Sequence, residues 1–318
     1  MSGPATLRVA ILGSGAMGSF VGGRLAASGM PVTLLDVDDA HITAITQGGL
    51  RMSTDAGEEV AHPAAMRPDQ FHEPHDLVIV LTKQPHTRSA LAALRAALTG
   101  DTWVMTLQNG LGNQELIEEF IPRERILLGV TTYPADLLGP GHVGSHGEGE
   151  IRLMTADGVN RPIADQVAAM LNRSGQTSVV DPNLAVAIWS KVAFNCAMNS
   201  ICALTGCLVG QLGASPEGRQ LALEIAAEVV AVAGKAGIAV DGKKVRVTIE
   251  HAMDTHLTHK PSMLQDMLAK RPTEIASING AVAAIAARLG QPALRNATLY
   301  ALIRLAESKQ QLPASAGT

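Results

Sequence analysis

Cysteine is scarce: Cys196, Cys202 and Cys207 are the only three, and no two of them form a CxxC pair. An odd count without metal-ligand spacing argues against a disulfide framework and against zinc, so no metal is expected. Their neighbours are Ala, Leu, Met and Ile, which suits small buried hydrophobic side chains in a reducing cytoplasm. Basic charge is also short. The 25 Lys and Arg are outnumbered by 29 Asp and Glu, the formal net charge is -4 and the pI is near 6.2. That balance argues against a nucleic-acid partner, which calls for a basic stripe. An anionic small molecule would have to be met by a few placed donors. No apolar run reaches the roughly 18–20 residues of a membrane span. The opening MSGPATLRVAILG has no basic n-region, no long apolar stretch and no cleavage site, so neither a signal peptide nor a membrane partner is expected. There is no internal repeat, and only the final ASAGT reads as a loose tail.

What is present is enough apolar material for two cores: 318 residues, 47% hydrophobic and 17% charged. The first half alternates short β-rich runs with helical patterns, as parallel βαβ units do. Strands are expected at Val9–Leu12, Val32–Asp36, Leu77–Thr82, Val104–Leu107, Ile126–Thr131 and Thr177–Val180. Helices are expected at Ala16–Ser28, Ala40–Gln47, Thr87–Leu98, Asn113–Phe120 and Arg161–Asn172. The Gly-rich stretch from Pro134 to Met154 reads as antiparallel strands added at the sheet edge. After Asp181 the chain turns Ala-, Leu- and Met-rich and shows helical patterns only. The expected organisation is an α/β Rossmann-type domain over residues 1–181 and an all-α domain over 182–318, with the active site in the cleft between them.

Gly13, Gly15 and Gly18 form G-x-G-x-x-G between the first strand and the first helix. Gly13 allows the tight turn, Gly15 lets a pyrophosphate approach the backbone, and Gly18 lets helix and strand pack closely. Ser14, Ala16 and Met17 complete the loop, and the helix N-terminus turns its amides toward the phosphates. Asp36 ends the second strand, eighteen residues after Gly18. A carboxylate there accepts ribose hydroxyls and repels a 2′-phosphate, and no Arg or Lys lies between Leu25 and Leu50, so NAD is favoured over NADP. Asp38 and Asp39 read as a helix N-cap and a first-turn acid.

The helix AVAIWSKVAFNCAMNSICAL is apolar almost throughout, yet Lys191, Asn195 and Asn199 recur every four residues along one face. A buried amine is costly unless it is paired or faces a wet cleft, so this stripe reads as a ligand site. Lys191 could protonate a carbonyl oxygen while hydride reaches the carbon. Glu274, in the first turn of a later helix, is the acid of the right kind to oppose the loss of its charge. His251, His256 and His259 read as a polar helix face.

With GSGAMG at the N-terminus, the LTK of Lys83, the LQNG of Asn109, WSKVAFNCAMN and SMLQDMLAKRPTEIASING, the chain resembles the ketopantoate reductase (2-dehydropantoate 2-reductase) family, within the 6-phosphogluconate-dehydrogenase-like enzymes. The resemblance implies Lys191 as general acid to the C2 oxygen of a small 2-oxo acid and Glu274 as the residue that holds substrate and sets that lysine. It implies that Asn195 and Asn199 bind substrate polar groups and Ser262 the carboxylate. Asn109 would sit by the nicotinamide and the substrate, and Lys83 near the cofactor. The activity so implied is hydride transfer from NAD(P)H. One departure stands out: members using NADPH usually carry Arg after the second strand, where this chain has Asp36. That leaves open an NAD-linked 2-hydroxy acid dehydrogenase of the same family, acting on another 2-oxo acid. A 3-hydroxy acid dehydrogenase is disfavoured by the SMLQD–TEI–ING segment, and a silent dinucleotide-binding regulator by the presence of both Lys191 and Glu274. A homodimer is compatible with such a helical domain, although no heptad argues for it.

Overall fold

The first strand, β1 (Val9–Leu12), is buried at every position, which is why its sequence is an unbroken apolar run. It is followed by α1 (Ala16–Ala27), β2 (Val32–Leu35), α2 (Asp39–Gly48), β3 (Leu50–Thr54), β4 (Gly57–Ala61) and β5 (Ala64–Met66). Next come β6 (Leu77–Val80), α3 (Gln84–Ala93), β7 (Trp103–Thr106), α4 (Asn113–Ile117) and β8 (Ile126–Thr131). Then follow β9 (Asp136–Gly139), β10 (His142–Ser145), β11 (Ile151–Thr155), α5 (Pro162–Arg173) and β12 (Ser178–Val180). The structure is a computed structural model and describes residues 7–311, so the first residues of the leader reading and the tail reading of ASAGT lie outside it.

Eight strands make one sheet in the order β12-β11-β8-β7-β6-β1-β2-β5. All neighbours are parallel except β11, which runs antiparallel to β8. From β1 the chain winds out through β2 to β5, then returns to β6 on the other side. The order therefore reverses between β1 and β6, and the crevice beyond the carboxyl ends of those strands is where such sheets take ligands.

One expectation needs correcting. The β9–β10 hairpin is antiparallel, but it does not extend the main sheet; β10 pairs in parallel with β3 in a separate four-stranded sheet, β4-β3-β10-β9. The β3–β4 hairpin leaves an edge that β10 covers, which satisfies backbone groups otherwise open to pairing. Only β11, from the end of that Gly-rich stretch, joins the main sheet.

The chain divides into two compact units. Unit 1 runs to Gln108 and resumes over Asn113–Leu184; unit 2 takes Asn109–Gly112 and the chain from Ala185 onward. Unit 2 contains α6 (Leu184–Thr205), which starts one residue earlier, then α7 (Val209–Ala214), α8 (Pro216–Lys235), α9 (Gly242–Thr255) and α10 (Ser262–Leu268). A π-helical turn over Ala276–Gly280 leads into α11 (Ala281–Leu289), and α12 (Leu294–Gln311) follows. The core of unit 2 gathers around α6 through Trp189, Val192, Cys196 and Met198. By length and hydropathy α6 could cross a membrane, but most of it is buried inside this core.

Cys196 and Cys202 are buried there, and no disulfide joins the three cysteines. Burial pushes the Cys196 thiol well up and the Cys202 thiol up to about 12. Both stay protonated at neutral pH, and it is the thiolate that reacts. Thiol labelling of the native protein should therefore stop at Cys207, and modification of all three cysteines before unfolding would contradict this.

Candidate active site

The glycine loop lies in unit 1, at the reversal of strand order. Gly13 has φ +95°, and a Cβ there would stand 2.5 Å from the Thr82 amide nitrogen. The turn after β6 thus presses against the loop, and Lys83 is the N-cap residue of α3 in that turn. At Gly18 a Cβ would lie 2.0 Å from the Gly13 carbonyl oxygen, so the closure of helix on loop demands glycine. Gly15 differs: an added Cβ meets no atom within 4 Å. Packing does not explain a glycine at this position, whereas close approach of a phosphate does. No side chain caps α1, which begins with Ala16 and Met17, so its first-turn amides are available to an anion. The residues present fit a dinucleotide.

Ser14 is buried, and its hydroxyl donates to Asp36 at 3.1 Å. The other Asp36 oxygen accepts the amides of Val37 at 2.7 Å and Asp38 at 3.1 Å, so the carboxylate is fixed at the end of β2. Asp38 caps α2 by accepting from the amides of Ala40 and His41, and Asp39 is its first-turn acid. The loop has a second brace. The Ser19 hydroxyl donates to the Ser14 carbonyl at 2.6 Å and lies 3.1 Å from Nε2 of buried His41. The Gly141 amide donates to His41 Nδ1, which assigns the proton to Nε2.

Sequence reasoning missed Arg67. Met66 of β5 pairs with Leu35 of β2, so the next residues, Arg67 and Asp36, leave adjacent strands together. Arg67 donates to the Val37 carbonyl at 3.0 Å and to Asp39 at 2.7 Å. A cation therefore does border the segment after β2, but it is engaged by Asp39. No signal local to residues 25–50 could have announced it.

The second group lies in unit 2. Lys191, Asn195 and Asn199 occupy successive turns of α6, and both asparagines are buried. Lys191 keeps a window to solvent. Burial of its ammonium lowers the pKa from 10.5 to about 8, and the negative charge of Glu274 opposes that loss. Glu274 lies just before the π-helical turn and not in the first turn of an α-helix, a correction to the sequence reading. Asn109 donates to the Glu274 carboxylate at 3.4 Å, and the Asn109 segment is anchored by the Leu111 amide on the Ser277 carbonyl at 2.7 Å. Lys191, Glu274 and Asn109 are thus brought together. Ser262 is exposed at the first position of α10.

A lysine titrating near neutrality is able to exchange a proton with a carbonyl or hydroxyl oxygen. Together with the dinucleotide cradle it defines an NAD(P)-dependent oxidoreductase. The family model described as "Ketopantoate reductase PanE/ApbA" matches residues 9–158, and that of its C-terminal part matches residues 183–307. A 2-dehydropantoate 2-reductase of Streptococcus pyogenes serotype M6 is 37% identical over 286 residues, covering 89% of this chain and 92% of that one. Among solved structures, a ternary complex of D-mandelate dehydrogenase with NADH and anilino(oxo)acetate is 30% identical. It covers 96% of this chain and 99% of its own, with a TM-score of 0.91. A 2-dehydropantoate 2-reductase from Geobacter metallireducens is 32% identical, covers 94% and 100%, and has a TM-score of 0.89. The chain belongs to the ketopantoate reductase family.

Proposed function

We propose that this chain reduces ketopantoate, a small branched 2-oxo acid, with NADH preferred over NADPH. The observation that carries the reading is the Lys191 ammonium, lowered to about 8 by burial and backed by Glu274, on a helix face it shares with Asn195 and Asn199. When bound, reduced nicotinamide supplies the hydride. Lys191 gives its proton to the C2 oxygen as that oxygen gains charge, and Glu274 sustains the protonated lysine beforehand. Asn195 and Asn199 donate to the polar groups of the substrate, and Ser262 to its carboxylate. Asn109 orients Glu274. In unit 1, Gly13–Gly18 hold the pyrophosphate, Lys83 flanks the cofactor, and Asp36 accepts the ribose hydroxyls. Ketopantoate reduction would assign the chain to pantothenate biosynthesis.

Preference for NADH rests on Asp36: its carboxylate, held at the end of β2 by the Ser14 hydroxyl and the Val37 amide, would accept ribose hydroxyls there and repel a 2′-phosphate. NADH in the D-mandelate dehydrogenase complex agrees with this, and it makes a phenyl-substituted 2-oxo acid the natural competitor substrate. Initial rates with both cofactors, ketopantoate and that competitor test the reading. Ketopantoate should be the better substrate, with NADH favoured by about tenfold or more in kcat/KM, and Asp36→Ala should narrow the ratio. A higher kcat/KM for the phenyl substrate would replace ketopantoate, and NADPH preference in the wild type would overturn the role of Asp36.

A further inference from the structure

Glu307 is a carboxylate that the chemistry above does not use. It lies on α12 and is only 6% exposed, in a region of unit 2 where an isolated charge would be costly. One of its oxygens accepts both the amide and the hydroxyl of Thr273, each at 2.7 Å. The other accepts from Arg304 at 2.7 Å, which supplies the compensating charge. The Thr273 hydroxyl in turn accepts the Ile275 amide at 3.2 Å. Thr273, immediately before Glu274, is therefore tied to Glu307 directly, and Ile275, immediately after it, through the Thr273 hydroxyl.

The remaining bonds of the segment serve the same end. The Glu274 carbonyl accepts the Ser277 amide, the Ile278 amide and the Ser277 hydroxyl, all at 3.1 Å. Asn279, in the same π-turn, donates to the Cys196 carbonyl of α6 at 3.3 Å and so ties the turn to the helix that carries Lys191. A π-helical turn is a rare and less stable geometry that persists where its surroundings over-determine it, often beside functional groups.

We infer that Glu307 is a positioning residue: through Thr273 it fixes the backbone on both sides of Glu274 and so holds that carboxylate against Lys191. The inference rests on the proposed role of the Lys191–Glu274 pair, and it is tested by a readout that needs no turnover. Lysine side chains labelled with ¹³C report the titration of Lys191 in the substrate-free protein, with Lys191→Arg identifying its signal. Releasing Glu274 withdraws the charge that opposes the effect of burial, so Glu307→Ala should move the Lys191 titration to lower pH by about half a unit or more. Thr273→Val keeps the amide bond to Glu307 but loses the hydroxyl bridge, and should shift the titration the same way by less. In rate measurements Glu307→Ala should raise KM for the 2-oxo acid and leave KM for NADH in place, and Glu307→Gln should recover part of the loss. A Lys191 titration unmoved in Glu307→Ala would overturn the inference, whatever happens to stability. If that variant does not fold, an unmoved titration in Thr273→Val decides the matter equally. Failure of the proposed activity would show separately, as a wild type that has the Lys191 titration but reduces no 2-oxo acid.

Discussion

Replacing Lys191 by alanine is expected to lower kcat for 2-oxo acid reduction by about 10²–10⁴-fold, the range that a positioned acid contributes. The cofactor loop is in unit 1, so KM for NADH should hardly change. The pH profile is more diagnostic than the loss itself. With a pKa of about 8, Lys191 is mostly protonated at neutral pH. The kcat/KM for reduction should be flat below that value and fall about tenfold per pH unit above it. Oxidation of the hydroxy acid needs the neutral amine, so its profile should rise with pH through the same value. Both limbs should vanish in Lys191→Ala. Lys191→Arg should not restore them, because a guanidinium stays charged throughout and is a poor proton donor. Initial rates in both directions from about pH 6 to pH 10 measure all of this. A wild-type limb that persists in the alanine variant would assign the proton to another group.

The second and third glycines of the loop, Gly15 and Gly18, should respond to alanine in different ways. At Gly18 the new Cβ would stand 2.0 Å from a backbone oxygen, so helix and loop must separate. That overpacking should cost about 1–3 kcal/mol or more of stability, together with cofactor binding. At Gly15 the new methyl meets no protein atom, and φ of -61° with extended ψ is open to alanine. Stability should therefore hold, while NADH binding weakens by about tenfold or more, since the methyl occupies space the pyrophosphate needs. Thermal unfolding with and without NADH separates the two. If Gly15→Ala keeps wild-type affinity, the phosphates lie elsewhere.

Most of what the sequence disclosed came from residues whose surroundings are local. β1 and β6 announce themselves because both faces are covered and every position must be apolar. Lys191, Asn195 and Asn199 stood out because nothing else on that helix is polar in the same register. α3 begins at Gln84, three residues before expectation, since Pro85 is tolerated in a first turn that lacks intrahelical amide bonds. What stayed hidden depends on distant pairing. β4 reads GEEVA, mostly exposed and of poor strand propensity, and is a strand only because β3 pairs with it. β3 in turn meets β10 across some ninety intervening residues. Arg67 reaches the segment after β2 only through β5, and Glu307 reaches the loop residue Thr273 from α12. No periodicity marks a π-turn, so the setting of Glu274 could not be read in advance.

The short segment Asn109–Gly112 belongs to unit 2, although the residues on both sides of it belong to unit 1. Modularity and gene order therefore disagree. An engineer who exchanges residues 1–184 for those of a relative, to import its cofactor preference, also imports that relative's version of Asn109. The residue would arrive among a foreign Glu274 and Ser277, the two groups it contacts or leans on here. On the role proposed for Asn109, chimeras cut at the obvious junction would inherit part of their substrate contacts from the parent chosen for its nucleotide, and a clean transplant has to leave four residues behind.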